Sequence, residues 1–305
     1  MIEDAEMTTV PVLQNIPLWR EYWALTKPRV VAMLMVTAMV GMVLAPHELL
    51  TPWQYLAAII GLWAGMASAA VINQWVDQQI DAVMLRTQQR PLVQGHMQGT
   101  AALLWAGFLA TVSMVVLTFW VNPLTAWLTA LGMVGYAGIY TRYLKRATPQ
   151  NIVIGGLSGA LPPLLGWTAV TGEMSPHAWL LVLIIFVWTP PHFWALAIHR
   201  RDEYAKAGIP MLPVTHGIEL TKTLVWYYTV LLGLVTLLPY LVGMSGIIYL
   251  IGACVFAFLF AREAWILKYR EKPGQAMKTF GFSLVYLLGL FAALLLDHIW
   301  IVWMS

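Results

Sequence analysis

The chain has 305 residues, 60% of them hydrophobic and only 10% charged, with a formal net charge of +3. A water-soluble domain carries about 25% charged residues, so the apolar surplus is lipid-facing surface, and a soluble globule is excluded; a net charge this weak says little about partners until its distribution is known, and no nucleic-acid partner is expected. The single cysteine, Cys254, lies in an apolar run, which excludes an intrachain disulfide and a cysteine metal cluster.

The chain opens on Met1 to Asn15, which holds Glu3, Asp4 and Glu6. A signal peptide needs a positive start followed by an apolar stretch, so residues 1–28 are expected to be a cytosolic N-terminal segment. A bilayer span takes about 20 mostly apolar residues, and nine stretches qualify: 29–46, 53–73, 101–121, 124–141, 151–171, 178–199, 223–241, 246–266 and 280–300. The expected fold is therefore an all-α integral membrane protein, one domain over 29–303, with the lipid bilayer as its solvent.

The basic residues test that count. Arg20, Lys27 and Arg29 precede or open span one, and Arg86 and Arg90 lie between spans two and three. Arg142, Lys145 and Arg146 follow span four, and Arg200, Arg201, Lys206 and Lys222 follow span six. Arg262, Lys268, Arg270, Lys272 and Lys278 follow span eight, which completes all 17 Lys and Arg on one side. The positive-inside rule makes that side the cytoplasm, with the N-terminus cytoplasmic and the C-terminus outside. Spans one to four and five to eight begin at a common offset of roughly 122 residues, the pattern of a tandem repeat with halves at 29–150 and 151–272 and an added ninth helix at 280–300. Four helices per half make the repeats parallel.

Span two ends in Asn73, Asp77 and Asp81, spaced four apart and so forming one stripe on a helix. Carboxylates at a helix C-terminus oppose the macrodipole, and in a membrane they need a counterion. The bland alternative is a solvated helix end. As hard oxygen ligands they suit Mg²⁺, which binds one or two carboxylates and fills its remaining positions with phosphate oxygens and water. Arg86 and Arg90, again four apart, have the forks that fit phosphate oxygens. Topogenic anchoring alone would also explain them. Lys145 and Arg146 either reinforce the diphosphate site or serve topology only.

The second polar cluster ends span six, with Pro190-Pro191-His192 followed by His199, Arg200, Arg201, Asp202 and Glu203. The paired prolines are expected to kink or break the helix, and Pro162-Pro163 marks a second break in span five. His192 and His199 stand seven apart and share a face if the helix continues. A lone histidine in a membrane is often just a hydrogen-bonded core group; as site residues, these imidazoles suit iron ligation, a propionate, or a base.

These residues together resemble the UbiA-type intramembrane prenyltransferases. The resemblance runs from Leu25-Thr26-Lys27-Pro28-Arg29 to span nine. Asn73, Asp77 and Asp81, with Arg86-Thr87 and Arg90-Pro91-Leu92, match the superfamily's first diphosphate motif. The run Trp188 to Leu196, Asp202-Glu203-Tyr204 and Gly208 to Val214 are similar to the branch that farnesylates heme. That resemblance implies a central cavity open to the cytosol in a bacterial inner membrane. It also implies farnesyl diphosphate and heme b as substrates, Mg²⁺ as cofactor, and heme O as product, delivered to a heme-copper terminal oxidase or heme A synthase. By the same resemblance Asn73, Asp77, Asp81 and Asp202 are the metal set, with Arg86 and Arg90 joining them in catalysis. Lys145, Arg146, His192, His199, Arg200 and Glu203 are the further substrate-binding set. Related enzymes carry a second Asp-x-x-x-Asp motif after span six; here Lys206 stands four past Asp202, so one protein-held Mg²⁺ is expected. A different aromatic or tetrapyrrole acceptor is the nearest alternative. A secondary transporter is the alternative of another class, although its polar site would lie near the bilayer midplane.

Overall fold

A computed structural model describes residues 17–46, 50–270 and 272–304. The acidic start, read above as a cytosolic tail, lies outside the described residues. Everything described is helix and connection. The helices are α1 (Leu18–Leu25), α2 (Pro28–Leu44), α3 (Pro52–Val76), α4 (Gln78–Val83), α5 (Gly99–Trp120) and α6 (Pro123–Met133). A π-helix (Val134–Leu144) continues α6 without a gap into α7 (Lys145–Ala147). There follow α8 (Asn151–Ala160), α9 (Pro162–Thr171), α10 (Pro176–His199), α11 (Arg201–Lys206) and α12 (Leu212–Thr215). The last are α13 (Ile218–Val235), α14 (Leu238–Leu241), α15 (Ile247–Tyr269) and α16 (Gln275–Met304).

Local chemistry sets several of these starts. Pro28, Pro52, Pro123, Pro162 and Pro176 open their helices, where the missing N–H costs nothing. Thr51 and Gln54 form a capping box on α3, and the Asn122 side chain accepts from Thr125 N at 2.8 Å to cap α6. At the other pole α15 is capped from a different helix: the buried Asp297 carboxylate of α16 accepts from Gly246 N and, at 3.2 Å, from Tyr249 N. A carboxylate at a helix N-terminus satisfies both the orphan donors and the dipole.

Seven helical runs are long and apolar enough to cross a bilayer, and an eighth is the pair α1 and α2, bent by 50°, if counted as one span. Among the described residues this gives at most eight, where nine were expected. The difference lies at 124–141: α6 and the π-helix have 11 residues each and run end to end, so neither alone is span length. The paired prolines also behave differently from expectation. Leu161 interrupts α8 and α9 ahead of Pro162-Pro163, whereas α10 runs unbroken through Pro190-Pro191. Next to that pair Thr189 Oγ1 bonds the Ile185 carbonyl at 2.8 Å, and Trp188 Nε1 ties α10 to Ser283 O of α16 at 2.8 Å. Such side-chain and interhelical bonds let a membrane helix carry proline.

Burial separates inner from outer helices. The spans α3, α8–α9 and α10 bury 61% of their apolar window, against 28% for α5, α13–α14 and α15. Leu104, Phe108 and Phe119 of α5 are exposed, as expected of a lipid-facing side. With no hydrophobic drive between helices in lipid, close packing holds them together, and small residues permit it. The tightest case joins α2 to α9. A Cβ built on Gly41 would fall on the Pro163 carbonyl, and one built on Gly166 would fall on the Ala38 carbonyl. Glycine is required at both because two backbones meet there.

Gly166→Leu should therefore force α2 from α9 and lower the melting temperature of the detergent-purified protein, by the equivalent of about 3 kcal/mol or more. Gly159→Ala, whose new methyl meets nothing within 4 Å, should be neutral or stabilising. Equal melting curves for the two variants would refute the backbone contact.

Candidate active site

The stripe at the end of α3 survives the change of helix at Asp77. Asp77 N bonds Asn73 O at 3.0 Å and Asp81 N bonds Asp77 O at 2.8 Å, so the α-helical register runs on into α4. Asn73, Asp77 and Asp81 therefore share one face, and all three are buried. Two buried carboxylates need cations, and these arrive from three directions. Lys27, in the turn between α1 and α2, donates through Nζ to Asn73 Oδ1. Lys145, at the end of the π-helix, donates to Asp77 Oδ2 at 2.7 Å. Arg90, from the loop after α4, pairs with Asp81 Oδ2, and Thr87 Oγ1 fastens that loop to the Asp81 carbonyl at 2.9 Å. The Asn73 amide links the set, donating to Asp77 Oδ2 at 3.0 Å and to Thr141 Oγ1 at 2.9 Å.

Two backbone features hold these cations in place. Lys27 sits at φ 51, the sole positive-φ residue other than glycine among the described residues. Strain of this kind persists where the surroundings enforce it, and it gathers at functional sites. The π-helix is the second feature; π-winding also concentrates at such sites. Its Thr141 hydroxyl donates to the Tyr136 carbonyl at 2.8 Å and accepts from Asn73.

One atom of the stripe is left over. Asp77 Oδ1 is buried and has no hydrogen-bond partner. An ionised oxygen buried without a partner is costly, and a hard cation would satisfy it. The donor set of two carboxylates and an amide oxygen suits Mg²⁺. The described residues contain no gathering of three or more His, Cys, Asp or Glu that would make a full protein cage. Burial pushes the Asp81 carboxyl up from its usual value, against the pull of the Arg90 charge and hydrogen bond.

The other sequence candidates fall elsewhere. Arg86 is exposed and makes no ion pair or hydrogen bond among the described residues, which leaves its fork free for an anion. Arg146 is exposed on the rim of a cavity of about 220 Å³, lined also by Gln79, Ile80 and the turn Ala207 to Ile209. Asp202 is exposed and lies 3.6 Å from Arg201, apart from the stripe. Arg200 donates through NH1 to both Glu203 oxygens, at 2.9 and 3.2 Å, while its buried Nε finds no partner. His199 is exposed at the end of α10. His192 is part-buried, with its ring stacked between Trp188 at 4.1 Å and Phe280 at 4.5 Å. Its Nδ1 meets Ser283 Oγ at 2.6 Å.

Sequence reasoning passed over four of these partners. Lys27 was counted only as a topogenic charge; the Lys27-Pro28 step at the mouth of span one was the available signal. Thr141, Phe280 and Ser283 carry no local signature.

The model of the UbiA prenyltransferase family matches residues 34–295. The chain is 63% identical over 282 residues to the Protoheme IX farnesyltransferase of Alcanivorax borkumensis, covering 92% of this chain and 93% of that one. It is 58% identical to the Protoheme IX farnesyltransferase of Colwellia psychrerythraea over 93% of this chain and 92% of the relative. Among solved structures it superposes on a digeranylgeranylglyceryl phosphate synthase with a TM-score of 0.78 at 19% identity, over 93% of this chain and 99% of that one. A UbiA homologue from Archaeoglobus fulgidus, solved with GPP and Mg²⁺, gives a TM-score of 0.61 at 18% identity, over 90% and 99%. At such identities the structural likeness shows the fold.

If Lys145 is the counterion of Asp77, Lys145→Met strands a buried carboxylate and should cost about 3 kcal/mol of unfolding free energy. In an Asp77→Asn background the same change should cost at least about 1 kcal/mol less. Equal penalties in the two backgrounds, measured by denaturant titration in micelles, would detach Lys145 from Asp77.

Proposed function

We infer the function of this chain from one premise: it belongs to the UbiA prenyltransferase family. It transfers the farnesyl group of farnesyl diphosphate to a vinyl group of heme b, and with addition of water it makes heme O. The observation that carries the reading is the 63% identity, over nine-tenths of the chain, to a protein named Protoheme IX farnesyltransferase. The site geometry supports the donor half of the reaction.

Asn73, Asp77 and Asp81 would hold a Mg²⁺–diphosphate, with Asp77 Oδ1 as the free ligand atom. When bound, Mg²⁺ supplies positive charge against the diphosphate as it leaves. Lys27, Lys145 and Arg90 already converge on the stripe. Lys145 and Arg90 add fixed positive charge there and do not need to reorganise during the reaction, while Lys27, whose ammonium is pushed down to about 7 by burial and by those two cations, contributes a hydrogen bond to Asn73. Arg86, exposed and unpaired, takes diphosphate oxygens from the open side, and Arg146 stands by on the rim of its cavity. Asp202 is exposed beside Arg201 and is not counted among the ligands of the stripe, so the chain itself would hold one metal. The C1–O bond of the donor breaks and the electron pair leaves with diphosphate. The vinyl carbon then bonds C1, and the cation left beside the pyrrole takes water and sheds a proton. Apolar helix walls keep bulk water from the farnesyl cation until the carbon–carbon bond has formed.

Counting α6 with the π-helix as one span and α2 as another gives nine spans. On that reading Arg20 and Lys27 precede the first span, the N-terminus and the stripe face the cytoplasm, the two halves form a parallel repeat, and the membrane is a bacterial inner one. Heme O so made passes to a heme A synthase or a heme-copper terminal oxidase. His199, Arg200 and Glu203 line the approach of the acceptor.

Asp77→Ala and Asp81→Ala should each lower turnover by about 100-fold or more while the protein stays folded. Mass analysis of hemes extracted after incubation with farnesyl diphosphate and heme b reads the farnesyl-plus-water shift. Product from 4-hydroxybenzoate in place of heme b would favour the other acceptor. Because the Asp81 carboxyl is raised, it protonates at a higher pH than an ordinary aspartate. The Mg²⁺ needed for half-maximal rate should therefore climb as pH falls through that range, and Asp81→Asn should abolish the climb. A Mg²⁺ requirement that stays flat in the wild-type enzyme would remove Asp81 from the metal set.

A further inference from the structure

His192 stands half-buried in α10 with both ring faces covered. The Trp188 ring lies at 4.1 Å and 20° on one face, and Phe280 of α16 at 4.5 Å and 29° on the other. Only the edge of the imidazole remains to act. On that edge Nδ1 is 2.6 Å from Ser283 Oγ. The Ser283 hydroxyl has one proton, and it is directed at the Phe280 carbonyl, 2.6 Å away. With that proton assigned to the carbonyl, Oγ accepts from His192, and the ring proton is assigned to Nδ1. Trp188 Nε1 donates to the Ser283 carbonyl at 2.8 Å, so the residue that fixes the tautomer is itself tied to the residue that stacks on the ring. The remaining nitrogen, Nε2, carries a lone pair and meets no hydrogen-bond partner among the described residues.

We propose that His192 Nε2 ligates the iron of the porphyrin substrate, and that Ser283 is the positioning residue that holds the imidazole in the tautomer this requires. The proposal rests on the reading of heme b as acceptor and adds how it is held. A ligating histidine characteristically donates its other ring N–H to an oxygen, which fixes the ring and raises the basicity of the metal-bound nitrogen; here that oxygen is Ser283 Oγ. The rival role of gripping a propionate needs an N–H at the open edge. The neutral ring has spent its single N–H on Ser283. The aromatic sandwich stops the ring from turning about χ2, so the lone pair keeps one direction.

The test is porphyrin binding to the detergent-purified full chain, with ferric heme b and metal-free protoporphyrin IX as probes. The wild-type protein should prefer heme b and show the Soret band of an imidazole-ligated iron. His192→Gly should lose that band and bind heme b about tenfold or more weakly, and added imidazole should restore the band. Ser283→Ala should keep a ligated band but shift the iron–imidazole stretch, and Ser283→Thr should return it. Equal affinity of the wild type for the two porphyrins would overturn the proposal. So would an unchanged Soret band in His192→Gly, whatever happens to turnover; a fall in rate alone would make His192 a base. Mass analysis of heme O in the same preparations separates the two failures. Heme O formed without any His192 signature sinks the ligand and spares the function. A His192-ligated heme that is never farnesylated sinks the function.

Discussion

Asp77 and Asp81 end a membrane span buried, in a place where a carboxylate cannot keep its charge unless cations stand beside it. Much of this pole of the bundle follows from that requirement. The chain turns through a left-handed residue so that Lys27 reaches Asn73, and it winds as a π-helix before delivering Lys145 to Asp77. The loop after α4 is pinned through Thr87 so that Arg90 meets Asp81. Three separate stretches of chain are thus held by one short stripe. The neutralisation leaves the buried Asp77 Oδ1 without a partner, and that shortfall makes the cluster a site where a fully satisfied one would be only a joint.

The rest of the bundle is held by contact. Away from the stripe, inner helices are joined through glycine and through isolated polar links. Thr125 bonds Thr168 at 3.0 Å, and Ser113 bonds the Gly61 carbonyl at 2.7 Å. At the opposite pole the Asp297 carboxylate ties α16 to the start of α15. The two poles use the same chemistry for different ends. Asp297 spends both oxygens on backbone donors, whereas Asp77 keeps one back.

Much of this was legible in the sequence, and what was not has a physical reason. Spans are visible because lipid demands long apolar runs, and the stripe is visible because helical spacing is fixed at four. The π-helix was not visible, since its winding is set by tertiary bonds such as Asn73 to Thr141 across 68 positions. Lys27 was seen but taken for an ordinary inside charge, because a topogenic lysine and a site lysine look alike until the turn is known. Pro190-Pro191 suggested a break that α10 does not make: neighbouring Thr189 and Trp188 bond to it and across it, and such bonding is not encoded in the proline pair. Ser283 lies 91 positions from the histidine it serves, beyond any local pattern.

The crossing of α2 and α9 has an evolutionary corollary. At Gly41 and Gly166 the obstacle is main chain, not a neighbouring side chain. A clash with a side chain can be relieved by trimming the neighbour, so such positions drift in pairs. A clash with a carbonyl offers no neighbour to trim. Substitution at either glycine leaves second-site repair no local route, and these two positions are dead ends for sequence drift even though they touch no substrate.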